Sequence, residues 1–168
     1  MTLPELNELP VARLKAVLTT CCGSTAWANE MAKLFPVESR EELFEQSDVI
    51  WFACSERDWK EAFEHHPKIG DINSLREKFA NTKAWASGEQ AGVSAASEAV
   101  LKQLAEGNRL YEEKFGYIFI VCATGKSANE MLDILLARLP NLPDDEIQIA
   151  MQEQNKITRI RLEKLLIA

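Results

Sequence analysis

An all-α fold is predicted for this chain, and three observations predict it. Apolar residues recur at intervals of three and four in almost every segment, the period of a helix and not of a strand. Serine followed three residues later by an acid or glutamine opens segment after segment, at Ser39–Glu42, Ser55–Asp58, Ser87–Gln90 and Ser127–Glu130. That pairing satisfies the first unpaired N–H groups of a helix. One stretch differs: YIFIVCA, at 117–123, is short, β-branched and apolar throughout. A strand needs a partner, and no other segment offers one. With 168 residues the chain can bury a real core. The expectation is a single compact multi-helix domain over 1–168, with one short extended segment near 117–123.

The elements follow in order. Thr2 caps a first helix with Pro4 in its first turn, and Leu6, Leu9, Leu14 and Val17 recur at helical spacing. Ser24 opens a second helix through Trp27 and Met31, stopped near Pro36. Ser39 starts a third, carrying Leu43, Phe44, Val49 and Ile50, and Ser55 a short fourth that ends at His65 and His66. Pro67 biases His66 away from helical angles, so the helix stops there. After a turn at Gly70 and Asp71, SLREKFAN is a short helix. Ser87 opens a long one through Val100, Leu101 and Leu104, with Gly107 and Asn108 as a place to bend or break. Ser127 caps a helix with Met131, Leu132, Ile134, Leu135 and Leu136. Pro140 and Pro143 bound a loop, and the last helix runs from about 144 with Ile147, Ala150, Ile157, Ile160 and Leu165 inward.

Bulk properties narrow the function. The composition, 46% hydrophobic and 27% charged, is that of an ordinary soluble globular protein. A net charge of −7 argues against a nucleic-acid surface, which needs clustered Lys and Arg. A small anionic ligand stays open, since one arginine or one helix N-terminus can hold a carboxylate. The first residues have no basic start and no unbroken apolar run, so they do not read as a secretory signal. No run approaches the roughly 18 apolar residues of a membrane span. The ending LIA is no peroxisomal address. Cys21, Cys22, Cys54 and Cys122 match no metal-binding spacing and read as reduced, mostly buried thiols. A cytoplasmic protein is expected, without nucleic acid, membrane or metal.

Four stretches could carry chemistry. The only histidines, His65 and His66, stand side by side at a helix end pinned by Pro67. Imidazole titrates nearest neutrality and suits proton transfer. The plainer reading is a solvated helix C-terminus whose dipole favours a cation. In WASGEQAG, 85–92, Ser87 as N-cap leaves Glu89 and Gln90 in the first turn. That is either a capping box or a carboxylate placed to orient an imidazole. In FIVCATGKS, 119–127, the GKS invites a phosphate-loop reading, but the motif needs glycine where Ile120 stands. An extended segment without a sheet has peptide groups that must pair with something, a planar amide-rich ligand included. In NKITRIRLEKLL, 155–166, Arg159 and Arg161 leave the helix about 200° apart, so at most one points into a pocket. Residues 157, 161 and 165 share one row, which favours Arg161.

Taken together, these stretches resemble the 2-oxo-4-hydroxy-4-carboxy-5-ureidoimidazoline (OHCU) decarboxylases, the last enzymes of the uricase route from urate to allantoin. The resemblance rests on HPKIG (66–70), SGEQAG (87–92), YEEKFGYIFIVCATG (111–125), NEMLDILLARLPN (129–141) and KITRIRLEKLL (156–166), in that order. It implies an all-α homodimer that decarboxylates without a cofactor. It assigns catalysis to His66 and Glu89, and substrate binding to Pro67, Ser87, Gln90, Phe119, Ile120, Val121, Cys122, Ala123 and Arg161. His65 is not part of the pattern. The implied substrate carries a hydroxyl and a carboxylate on one carbon, beside a carbonyl and a ureido group. Loss of CO₂ then leaves electrons that an adjacent carbonyl can hold, so no Schiff base or metal is required. Two other readings stay open: a lyase or hydrolase of another ureide or cyclic amide through the same His–Glu pair, and a non-enzymatic helical interaction module that binds a partner through its amphipathic ends.

Overall fold

The computed structural model describes residues 1–68, 72–80 and 90–167, with backbone alone at 80 and 90–97. Among the described residues there are nine α-helices and no strand. They are α1 (Leu3–Asn7), α2 (Val11–Cys21), α3 (Thr25–Ala32), α4 (Arg40–Ala53), α5 (Glu56–Glu64), α6 (Ile72–Ala80), α7 (Gln90–Phe115), α8 (Ala128–Arg138) and α9 (Pro143–Leu165). The stretch 117–123 is irregular and lies between α7 and α8.

Local chemistry starts most of these helices. Reciprocal capping boxes close the N-termini of α1 (Thr2–Glu5), α5 (Ser55–Asp58) and α8 (Ser127–Glu130). Ser24 caps α3, and Ser39 accepts from the Glu42 N–H at the start of α4. The Ser39 box is only half made, because the Glu42 carboxylate takes the N–H of Glu38 instead. The Ser87 start falls outside the described residues.

The structure corrects the sequence reading at three places. The first predicted helix is two, because Pro10 cannot continue α1 and instead precedes α2. The long helix does not break at Gly107. That glycine is buried, and a Cβ there would lie 2.6 Å from Leu135 Cδ2, so its bareness lets α7 approach α8. In α9 the deep stripe holds Ile147, Ala150, Met151, Gln154, Thr158 and Leu162, while Ile157, Ile160 and Leu165 are only half-buried. Two polar residues on that stripe disguise it from a purely apolar reading.

The chain divides into two compact units, Met1–His66 with Ile149–Ala168, and Pro67–Gln148. The first is built around buried Trp27, Trp51, Trp59 and Phe63. Each indole N–H finds a backbone carbonyl: Trp27 to Ser47 O (3.3 Å), Trp51 to Met151 O (2.9 Å) and Trp59 to Trp51 O (3.0 Å). Burial of the rings is therefore obtained without stranding their polar edge. Asp48 on α4 accepts from Asn155 Nδ2 and Arg159 Nη1, both at 2.9 Å, and the Arg159 guanidinium lies 5.1 Å from the Phe44 ring. These contacts fix the rotation of the later turns of α9 against α4.

The second unit turns on one fully buried carboxylate. Glu146 Oε1 accepts from the Tyr111 hydroxyl (2.5 Å) and Arg138 Nε (2.7 Å), and Oε2 from Asn141 Nδ2 (2.9 Å). Arg138 Nη1 continues to Ile120 O at 2.7 Å, and its guanidinium lies 4.7 Å from the Phe119 ring. Burial, then the bond to Glu146, pushes the Tyr111 phenol well above its ordinary range, so it stays a donor. Removing one partner of such a buried pair leaves a bare charge, at a cost of about 3–5 kcal/mol. Arg138→Met should lower unfolding free energy by about that much in urea titrations, and Arg138→Met/Glu146→Gln should lose less.

Candidate active site

Helix α5 delivers the two histidines. Trp59, Ala62 and Phe63 bury one face of it, and its last turn closes with His65 N to Ala62 O and His66 N to Phe63 O, each 3.2 Å. His65 is the C-cap residue, and Pro67, which has no N–H, ends the run. The two imidazoles then meet different surroundings.

His65 is exposed; its Nδ1 lies 3.1 Å from Glu61 O, which can only accept, so Nδ1 carries a hydrogen. The ring sits against buried Gly23. A Cβ on Gly23 would be 2.3 Å from His65 Cγ and 2.5 Å from its Cβ, so the α2–α3 connection must be bare at this point. His66 is half-buried, and its Nε2 lies 2.5 Å from Oε1 of Gln154, a fully buried residue of α9. Gln154 Nε2 in turn donates to Thr158 Oγ1 at 3.2 Å.

Arg161 meets the C-terminal end of α2, two residues before Gly23. Arg161 Nη1 donates to Cys21 O at 3.4 Å, near the long limit for such a bond. Arg161 is half-buried and lies three residues after Thr158 on α9. Arg159 is committed elsewhere, to Asp48 and the Phe44 face. The thiols beside these groups are poor nucleophiles. Burial pushes Cys21 up and Cys22 up to about 12, against the opposing hydrogen bonds of Ser24 and Thr158 to Cys22.

Of the other expected site residues, Pro67 is exposed and begins the second unit. Within 119–123, Ile120 and Cys122 are buried while Phe119, Val121 and Ala123 are half-buried. Two carbonyls here have protein donors: Ile120 O takes Arg138, and Cys122 O takes Lys126 Nζ at 2.8 Å. Ser87 and Glu89 lie outside the described residues, and Gln90 is described only as the first backbone position of α7. Among the described residues no three His, Cys, Asp or Glu side chains converge as metal ligands, and no helix is long and apolar enough to cross a membrane.

Sequence reasoning missed Gln154, Thr158, Gly23, Arg138 and Glu146. A signal for the first two was present: a polar pair at i, i+4 in line with Ile147, Met151 and Leu162 on one helical stripe.

The fold and these groups define an all-helical protein with an imidazole held at a helix end. Comparison with known proteins narrows that class. A model of the family described as OHCU decarboxylase matches residues 7–163. The chain is 40% identical over 147 residues to the uric acid degradation bifunctional protein TTL of Arabidopsis thaliana, covering 86% of this chain and 45% of that protein. It is 25% identical over 166 residues to the 2-oxo-4-hydroxy-4-carboxy-5-ureidoimidazoline decarboxylase of Halalkalicoccus jeotgali, covering 98% and 92%. Against a crystal structure of an OHCU decarboxylase in the presence of (S)-allantoin the TM-score is 0.70, with 38% identity over 88% of this chain and 95% of the other. A crystal structure of (S)-allantoin synthase, 19% identical, shares the fold with a TM-score of 0.68. The chain belongs to the OHCU decarboxylase family. It spans 45% and 32% of the lengths of two bifunctional relatives, those of Arabidopsis thaliana and Bacillus subtilis.

The His65–Gly23 contact generates a test. Gly23→Ala forces a Cβ onto the base of the His65 side chain, an overpacking that typically costs about 1–3 kcal/mol. Chemical denaturation should show that loss. Unchanged stability would mean that the connection yields freely.

Proposed function

We propose that this chain, acting as one domain over residues 1–168 and as a cytoplasmic homodimer, decarboxylates OHCU to (S)-allantoin in urate degradation, without a cofactor. The observation that carries the reading is His66. It is half-buried at a pinned helix end, with one ring nitrogen held by a buried amide, inside a chain whose family match runs from 7 to 163. Neither a free-standing interaction module nor a solvated helix end needs an imidazole held in this way.

The chemistry asks three things of the protein. It must hold the carboxylate so that the C–C bond to it can break, stabilise the electron pair left as an enolate-like anion, and supply one proton to one face. Arg161 is proposed to hold a carboxylate or carbonyl of the substrate; its planar fork suits either. Its long bond to the neutral Cys21 carbonyl is weaker than a short bond to an anion, so an anion competes well for it. The backbone of 119–123 is proposed to meet the ring and ureido amides, with Pro67, Ser87 and Gln90 alongside. N–H groups held by a fixed backbone stabilise developing negative charge without having to reorient. The Arg138 bond to Ile120 supports that part of the reading, because it restrains the segment. His66, oriented by Glu89, is the proposed acid–base group, and proton delivery from one side gives one enantiomer.

Turnover is measurable by generating the unstable substrate in place with uricase and the hydrolase that follows it, then reading the circular dichroism of allantoin. His66→Ala should lose at least about 10² in rate, the low end for a positioned acid–base group, while His65→Ala keeps most of it. Equal losses in two folded variants would make the histidine pair the working unit and discard this assignment. Arg161→Lys keeps the charge but loses the fork, and should raise KM or lower kcat. Arg159→Lys, at the Asp48 contact, should leave turnover nearly unchanged.

A further inference from the structure

The groups behind His66 dictate which of its nitrogens carries a hydrogen. With the Cys22 thiol pushed up to about 12 by burial and so protonated, Thr158 Oγ1 gives its one hydrogen to the Gln154 backbone oxygen, 3.1 Å away. The same Oγ1 lies 3.2 Å from the Gln154 side-chain nitrogen and can therefore only accept there, so the amide presents its NH₂ to Thr158. The amide oxygen then faces His66 Nε2. An amide oxygen cannot donate, so Nε2 must.

The reversed amide is the competing arrangement. Thr158 would then give its hydrogen to the side-chain oxygen, and the NH₂ would point at a bare Nε2. That arrangement makes two hydrogen bonds where the first makes three, counting the Thr158 bond to the Gln154 carbonyl. Gln154 is fully buried and Thr158 nearly so, and a hydrogen bond left unmade at buried groups is costly.

We propose that Gln154 and Thr158 are positioning residues that hold His66 in the Nε2–H form and thereby make Nδ1 the nitrogen that takes up and releases the proton during turnover. The role in turnover rests on the reading of His66 as the acid–base group; the tautomer does not. A histidine bonded to a neutral amide at Nε2 keeps its hydrogen there through the cycle, since the amide cannot receive it. A carboxylate only accepts, so Glu89 in its proposed role acts through the hydrogen that Nδ1 holds while the ring is protonated.

The test uses the full chain carrying His65→Asn, in which His66 is the one histidine left, with ¹⁵N-labelled imidazole. At a pH where the ring is neutral, long-range ¹H–¹⁵N correlation spectra should show Nε2 at the protonated shift and Nδ1 at the unprotonated one. Gln154→Leu and Thr158→Val should move both shifts toward a mixture. They should also lower kcat by about tenfold or more, part of the about 10² to 10⁴ that a positioned acid–base group contributes, with a smaller change in KM. Thr158→Ser keeps the hydroxyl and should keep both the spectrum and kcat. An Nδ1–H tautomer in the parent chain overturns the proposal, as does Gln154→Leu with spectrum and kcat unchanged. If Gln154→Leu does not fold, the contrast between Thr158→Val and Thr158→Ser decides, and equal behaviour of those two counts against the proposal. His66→Asn turning over at the parent rate would strike down the acid–base reading, and the positioning role with it, while the spectrum would still report the tautomer.

Discussion

Among the described residues the irregular 117–123 stretch has no neighbouring strand to take its peptide groups, and this constraint organises the second unit. Buried carbonyls cannot be left bare. Here the Ile120 carbonyl is met by a guanidinium, and a guanidinium so deeply buried must itself be neutralised. Glu146 does that, and its own remaining lone pairs are taken by Tyr111 and Asn141. One unpaired carbonyl thus propagates a requirement through three further side chains on α7, the α8–α9 loop and α9. Buried ion pairs add little net stability, since desolvation offsets their attraction. What the network achieves is placement: Arg138 can reach Ile120 only when α8 and the 117–123 stretch hold one relation.

The first unit solves a similar problem with neutral groups. The deep stripe of α9 carries Gln154 and Thr158 amid Met151 and Leu162. Polar side chains on a buried stripe are tolerated when each donor and acceptor is matched, and mismatched rotations of the helix are then costly. The ties from α4, through Trp51, Asp48 and Phe44, hold the helix at the matched rotation. Precision at the imidazole therefore originates on a helix distant from it in sequence.

How much of this was legible in the sequence follows from the range of each interaction. Capping boxes act over three residues, so Ser55–Asp58 and Ser127–Glu130 are readable directly, and with them the starts of α5 and α8. Pro67 acts on its immediate neighbour, so the end of α5 at the histidines is equally plain. Gly107 shows the limit. Its local tendency to loosen a helix is visible, but the close approach of Leu135, which reverses its meaning, is a contact between α7 and α8. Gln154 shows it more sharply: on sequence alone a glutamine in mid-helix reads as a solvated surface residue, and only the partner at His66, 88 positions away, makes it otherwise. The family motifs were readable because they are short; the residues that support them were not, because their partners lie far along the chain.

The aromatic residues are divided unevenly between the two units. Trp27, Trp51 and Trp59 lie buried in the first, whereas both tyrosines of the chain, Tyr111 and Tyr117, lie in the second, with Tyr111 4.6 Å from the Phe115 ring centre and 5.2 Å from that of Phe119. Trp85, which falls in the second unit by position, is the one remaining indole of four. With phenylalanine in its place, indole emission reports on the first unit and phenol absorbance on the second. The chain then carries two native optical probes, one per unit, and coincidence or separation of their melting curves reads out how cooperatively the halves unfold.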